Sequence, residues 1–290
     1  MNIATLRKKS NRLDSRSSQR IWELDFLRGV CVLLMVFDHF MYDIADMFGR
    51  AWIATGKEGV IQIVNLAVEY IDSSQIRSTT QHIVVWIFAV LCGISCSFSR
   101  SNLKRGVQAT ILAGIITIVS YYMEADIKFG ILHMFAFAIL FWWLIDTICR
   151  HNKMITAGVC MFIGMMIITM NAGFMSVYDP YSNPHAFATD NNLFFIGEFM
   201  LGNRSNFFSG DYYPIFPTAG YMLVGSALGV ILYPKKKSLL PLLGKYDWYK
   251  PFAFWGKIAI WVYALHQVVV VVVLAIISFI FITPGNFVVI

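Results

Sequence analysis

Charge is scarce in this chain. Asp, Glu, Lys and Arg make up 14% of its 290 residues, where a soluble domain carries about a quarter. That deficit excludes an ordinary water-soluble domain, and no basic stripe of the kind that binds nucleic acid is laid along one. Cysteine is sparse too. Cys31, Cys92, Cys96, Cys149 and Cys160 fall within or at the ends of apolar runs and form no C-x-x-C, so neither a disulfide framework nor a zinc site is expected. Cys92 and Cys96 stand one helical turn apart, a spacing that suits packing or a soft metal, packing being the better reading. No lysine occurs between 258 and 290, which excludes a retinal Schiff base in the last helix. P-loop, G-x-S-x-G and H-E-x-x-H motifs are absent, and no arginine ladder marks a voltage sensor.

What fills the chain instead is apolar sequence. Hydrophobic residues make up 58% of it, in long blocks. A span needs about 20 apolar residues to cross about 30 Å of hydrocarbon, and seven segments qualify: 24–44, 81–98, 107–123, 129–148, 154–170, 215–233 and 256–282. The expected fold is an all-α membrane protein, a polytopic bundle of about seven transmembrane helices. Residues 1–20 read as a basic N-terminal segment and 21–290 as a single transmembrane domain, since no repeat or linker divides them. The first span is not a cleaved signal peptide, because Asp25 and Arg28 sit at its start and no small-residue cleavage site comes after it.

The loops sort by charge. Residues 1–20, 99–106, 149–153 and 234–257 hold 17 of the 23 Lys and Arg, whereas the alternate loops hold five of them and most of the acidic residues. The positive-inside rule then predicts a cytoplasmic N-terminus and an outer C-terminus. Two outer loops, 45–80 and 171–213, are long enough to be functional. The second contains "NNLFFIGEFMLG", which suits a short interfacial helix.

Ionisable residues inside spans cost about 2.5–3.5 kcal/mol each on insertion scales and normally face the bundle interior. The first span, "ELDFLRGVCVLLMVFDHFMYDI", carries several. On a helical wheel Arg28, Val32, Met35, His39, Asp43 and Asp46 share one face. His39 lies roughly 16 Å along the axis from Arg28 at 1.5 Å per residue. His39 beside Asp43 has the chemistry of a general base with an orienting carboxylate, Asp38 being a second candidate for the orienting role. The bland alternative is that Asp43 marks the outer boundary and His39 bonds a neighbouring helix. Arg28, with Asp25 one turn before it, is either an ion pair or a contact for an anionic cytoplasmic ligand. His133 lies just inside the outer end of the fourth span. His266 lies near mid-depth of the last, where Gln267 is the other strongly polar group. His82, His151 and His185 read as solvated residues.

"LDFLRGVCVLLMVFDH", "FGILHMFAFAIL", "DYYPIFPTAGYMLVGSALG" and "GKIAIWVYALHQ" resemble the membrane acyltransferase family of heparan-alpha-glucosaminide N-acetyltransferase, in its compact bacterial branch. The resemblance runs from residue 24 to about 270. It implies transfer of an acyl group, most often acetyl, from cytoplasmic acyl-CoA to a sugar amine or hydroxyl on the other side, in a multi-pass protein of a bacterial plasma membrane. His39, Asp43 and Asp38 would then act on the acceptor, with His133 and His266 lining the path. Arg28, Arg100, Lys104 and Arg105 would meet CoA phosphates, or serve as topogenic charge. Acetyl-CoA or another acyl-CoA is the implied co-substrate, with no metal.

The sequence departs from the larger animal-type members. Those carry a catalytic histidine in the outer loop after the first span, but residues 45–80 here contain none, and His39 stands where they have asparagine. An acetyl-histidine relay is therefore not carried over. Two other classes stay open: a transporter or proton-coupled channel, because polar stripes also mark ion paths, and a non-catalytic protein retaining the fold. Gly225 and Gly229, four apart, allow a partner helix to come close, either in this chain or in a homodimer.

Overall fold

The structure is a computed structural model that describes residues 20–72, 75–122, 127–177 and 212–282. Nearly all of the basic N-terminal segment, the expected interfacial helix at 191–202 and His185 lie outside them. Among the described residues there is no strand. The helices are α1 (Trp22–Tyr42), α2 (Gly49–Ile53), α3 (Glu58–Asp72), α4 (Gln75–Phe98), α5 (Asn102–Tyr122), α6 (Ile131–Ile148), α7 (Lys153–Val177), α8 (Thr218–Leu232), α9 (Lys250–Lys257) and α10 (Ala259–Ile277).

Among the described residues, five helical segments are long and apolar enough to cross a membrane: Gln75–Phe98, Asn102–Tyr122, Ile131–Ile148, Lys153–Met170 and Ala259–Ile282. Two of the seven expected spans stand apart from these for different reasons. Helix α1 has the length, at 21 residues, but carries Glu23, Asp25, Arg28 and Asp38. Helix α8 is apolar throughout but only 15 residues long, about 22 Å at 1.5 Å per residue.

The described chain gathers into two compact units. The first comprises residues 22–85 and 240–282, within a unit that the full chain continues to 290. Here α1 gives way at Asp43 to a π-helical turn, Asp43–Met47, in which the Phe48 amide reaches the Asp43 carbonyl at 2.9 Å. One extra residue per turn rotates the chain beyond it, so Ile44, Phe48 and Trp52 turn into a core with Val64, Ala67, Val270 and Leu274. The last span ends in a second π-helical turn, Ser278–Ile282. Two side chains from the α2–α3 region secure it. Trp52 Nε1 donates to Ser278 Oγ at 3.2 Å, and Lys57 Nζ donates to the Phe281 and Ile282 carbonyls at 3.0 and 2.9 Å. Helix carbonyls carry partial negative charge, and a cation suits them.

The sequence reading treats 234–257 as a cytoplasmic connection, but it folds into two 3₁₀ turns and α9. Helix α9 lies backbone to backbone on α1. A Cβ on Gly29 would overlap the Phe252 carbonyl, and one on Gly256 would overlap the Asp25 carbonyl. Trp22 and Phe26 complete the contact, Trp22 packing on Tyr249 at 4.5 Å between ring centroids and Phe26 on Trp248 at 5.0 Å.

The second unit, residues 86–239, is built around α6. Met134, Phe135, Ala138, Ile139, Trp142 and Ile145 are buried against Ala89, Cys96, Cys160, Met222 and Leu223. Helix α8 crosses the second half of α4 at Gly93 and Gly225, where a Cβ would run into the Met222 and Val90 carbonyls respectively. The close-approach face marked by Gly225 and Gly229 is thus occupied within the same chain. Short connections carry their own caps. Asn152 Oδ1 accepts the Met154 and Ile155 amides at 3.1 and 3.2 Å to start α7. Asn102 Nδ2 donates to the Cys96 carbonyl at 2.8 Å. The outward apolar residues, such as Ile111, Ile115 and Ile118 on α5 and Val268, Val269 and Val272 on α10, are half exposed or more. Such faces suit lipid.

Candidate functional site: paired histidines on α1 and α10

The first unit places His39 against His266. Their rings meet edge to face, centroids 4.7 Å apart and planes at 86°. Each Nδ1 faces a main-chain carbonyl of the preceding turn: His39 to Met35 at 2.9 Å, His266 to Tyr263 at 2.7 Å. A carbonyl only accepts, so both Nδ1 atoms carry the hydrogen and donate. In the neutral rings both Nε2 atoms therefore hold lone pairs. His266 is 9% exposed, and its Nε2 is buried with no partner among the described residues.

One residue on, Gln267 Nε2 donates to both Asp43 oxygens at 2.8 and 3.0 Å. Asp43 is 1% exposed. Gln267 Oε1 remains buried without a partner among the described residues. The four side chains form two contacts, His39–His266 and Asp43–Gln267, which are one helical turn apart on α1 and come from adjacent residues on α10, and the second sits where α1 passes into its π turn. Buried acceptors without donors usually mark a place for a ligand or water.

The other expected site residues fall elsewhere. The i,i+4 partnership expected between His39 and Asp43 gives way to cross-helix partners on α10. Asp38 is engaged by another helix: Arg77 Nε donates to Oδ1 at 2.7 Å and Nη2 to Oδ2 at 3.0 Å, a two-pronged pair with both side chains 18% exposed. Tyr70 OH donates to the same Oδ1 at 3.3 Å. Burial, with the Asp38 carboxylate beside it, pushes the Tyr70 phenol up, so it stays a donor. Arg28 Nη1 pairs with Asp25 Oδ1 at 2.7 Å.

His133 belongs to the second unit and has the opposite tautomer. Its Nδ1 accepts the Gly130 amide at 3.2 Å, so Nε2 carries the hydrogen and donates to Thr117 Oγ1 at 3.0 Å. Arg105 Nη1 reaches the Ser95 carbonyl and Asn102 Oδ1, both at 3.2 Å. Lys104 is exposed. Arg100 lines a cavity with Lys153 and His151. His151, read from the sequence as ordinary surface, donates from Nδ1 to Asp146 Oδ2 at 2.6 Å. Among the described residues no cluster of three or more His, Cys, Asp or Glu could hold a metal ion.

Sequence reasoning gave no role to Gln267, Arg77 or Tyr70. Gln267 was visible as a polar interruption of an apolar run. Nothing in local spacing links residue 38 to residue 77.

Ionisable groups held between apolar helices define an integral membrane protein with a polar site inside it. A family model described as the catalytic domain of heparan-alpha-glucosaminide N-acetyltransferase matches residues 20–268, and the chain belongs to that family. Membership implies a transferase, and the family in general uses acetyl-CoA as donor. No curated protein and no solved structure matches the chain.

Proposed function

We propose that this protein carries an acyl group, acetyl in the first instance, from cytoplasmic acyl-CoA to an amine or hydroxyl of a sugar-type acceptor at the outer face. The observation that carries the reading is a half-buried imidazole on α1 meeting a buried one on α10, each fixed by a backbone carbonyl so that Nε2 is basic. A base held in one tautomer needs no reorganisation before it accepts a proton.

His39 is the general base. Its Nε2 takes the proton from the acceptor N–H or O–H as the acceptor attacks the thioester carbonyl. The carbon–sulfur bond then breaks, and the thiolate leaves with the proton returned from the imidazolium, as free CoA thiol. His266, its ring against that of His39, supplies a second acceptor to the incoming group. Asp43, oriented by Gln267, places negative charge one turn from the imidazolium that forms during transfer. Asp38, tied to Arg77, holds α1 to the start of α4. His133, with both nitrogens engaged, holds the start of α6.

In this reading α1 and α8 also span, giving seven helices with the N-terminus in the cytoplasm, as the distribution of Lys and Arg supports. The bacterial plasma membrane is the proposed location, with Arg28 near the donor side of α1.

The test is release of free CoA thiol by the purified protein in detergent, given acetyl-CoA with and without glucosamine. Acceptor-dependent release that His39→Ala abolishes supports the assignment. Undiminished release from His39→Ala overturns it, and transport of solute without CoA consumption would move the protein to another class.

A further inference from the structure

The second unit contains a cavity of about 230 Å³. That is many times the roughly 10–15 Å³ that one water needs by the same measure. Arg100, Lys153, His151, Ser99, Trp142 and Asp146 are among the residues that line it. These residues come from the ends of α6 and α7 and from the connections 99–101 and 149–152, which the charge distribution assigns to the cytoplasm.

The cavity is a surface of donors. Arg100 and Lys153 have no carboxylate partner among the described residues. Ser99 Oγ accepts the Ser101 amide at 3.3 Å, so its own O–H is free to donate. Trp142 is 7% exposed, and its Nε1 is buried with no partner among the described residues. An indole N–H only donates, so it needs an acceptor, and the described residues offer none. The single anion, Asp146, is already engaged: His151 Nδ1 reaches Oδ2 at 2.6 Å and Thr156 Oγ1 reaches Oδ1 at 3.1 Å. The loop that makes this contact holds Arg150 and His151 at φ 52° and 58°, a region L side chains rarely adopt. The floor, Ala157, Val230 and the Trp142 ring, is apolar.

Two flexible cations, a free hydroxyl and an orphaned N–H describe a site for an oxyanion with several acceptor oxygens. The volume and the apolar floor leave room for the organic group that carries it. We infer that this cavity binds the phosphoryl group of an organic phosphate taken from the cytoplasmic side. The same chemistry is found in the phosphates of a coenzyme A thioester and in an anionic phospholipid headgroup. The site does not depend on the acyl-transfer reading, although the coenzyme would join the two.

The test measures dissociation constants of CoA, 3′-dephospho-CoA, inorganic phosphate and short-chain phosphatidylglycerol for the purified full-length protein in detergent. Wild type is compared with Arg100→Ala/Lys153→Ala and with Trp142→Phe, and CoA release is read on the same preparations. The double variant alters only surface residues, and an unchanged melting temperature verifies its fold. At least one of the four ligands is expected to lose about tenfold or more in affinity in the double variant, and a smaller amount in Trp142→Phe. Preference for CoA over 3′-dephospho-CoA identifies the 3′-phosphate; preference for phosphatidylglycerol identifies a lipid site. Equal affinity of wild type and double variant for all four, or no binding of any, overturns the inference. Acyl transfer is a separate readout, so turnover can survive that result or fail without it.

Discussion

The two units handle charge in opposite ways. In residues 22–85 and 240–282, ionisable side chains lie inside: Asp25 with Arg28, Asp38 with Arg77, Asp43 with Gln267, and His39 against His266. In residues 86–239 the interior is Ala, Cys, Met, Phe, Ile and Trp, and the described charges sit at the helix ends. Both use glycine to bring backbones together, Gly29 and Gly256 in one, Gly93 and Gly225 in the other. Close packing is therefore common ground, and the buried ionisable groups set the first unit apart. Such groups are costly in a membrane interior and persist where they do chemistry or fix a partner.

The contrast breaks first at the histidines. His39→Ala should lower turnover by about 10²–10⁴-fold, the usual contribution of a general base, and His266→Ala should also lower it strongly. His133→Ala, in the other unit, should lower the melting temperature and leave turnover within about tenfold of wild type. Thiol-release rates and thermal melts on the three variants decide it; a larger catalytic loss at His133 than at His39 would reverse the roles of the two units.

Glycine substitution probes the common ground. Gly93→Ala forces a methyl into the Met222 carbonyl and Gly29→Ala forces one into that of Phe252. Each should cost about 1–3 kcal/mol or more as backbones shift. Gly114, with nothing within 4 Å of a built Cβ, is the control: Gly114→Ala should hold or raise stability by up to about 1 kcal/mol. Equal melting temperatures for all three would mean that the crossings are looser than described.

Smaller effects separate ion pairs from helix caps. Asp38→Asn weakens the two-pronged contact with Arg77 and should cost about 1.5–3 kcal/mol. Arg105→Ala removes hydrogen bonds at the end of α4 and should cost roughly 0.5–1.5 kcal/mol, without changing the apparent KM for acetyl-CoA. A raised KM in Arg105→Ala would place that residue at the donor site, as the family resemblance implies. An unchanged melt in Asp38→Asn would show that the pair contributes nothing net.

Much of the fold was legible from local spacing. The apolar blocks locate α4, α5, α6 and α10 to within a few residues at most ends, because a lipid-crossing helix must be long and apolar whatever it packs against. The stripe on α1 is equally a property of the sequence, since Arg28, His39 and Asp43 recur at helical spacing. The 234–257 stretch was harder. Its short helix is set by a backbone contact with Gly29, and no periodicity of its own announces that.

Residue order alone establishes an all-helical membrane chain of a definite family, with His39, Asp43 and His266 as the polar intrusions to explain. Who faces whom is settled by packing. It gives Asp43 to Gln267, Asp38 to Arg77 and the His39 ring to His266, and it pairs His151, an exposed loop residue as expected, with Asp146. The reason is physical. Helical spacing fixes which side chains share a face, but a hydrogen bond across helices depends on rotation and register between them, and those are set by glycine contacts further along the helices, such as Gly29 with Phe252, and by the π turn that begins at Asp43 itself.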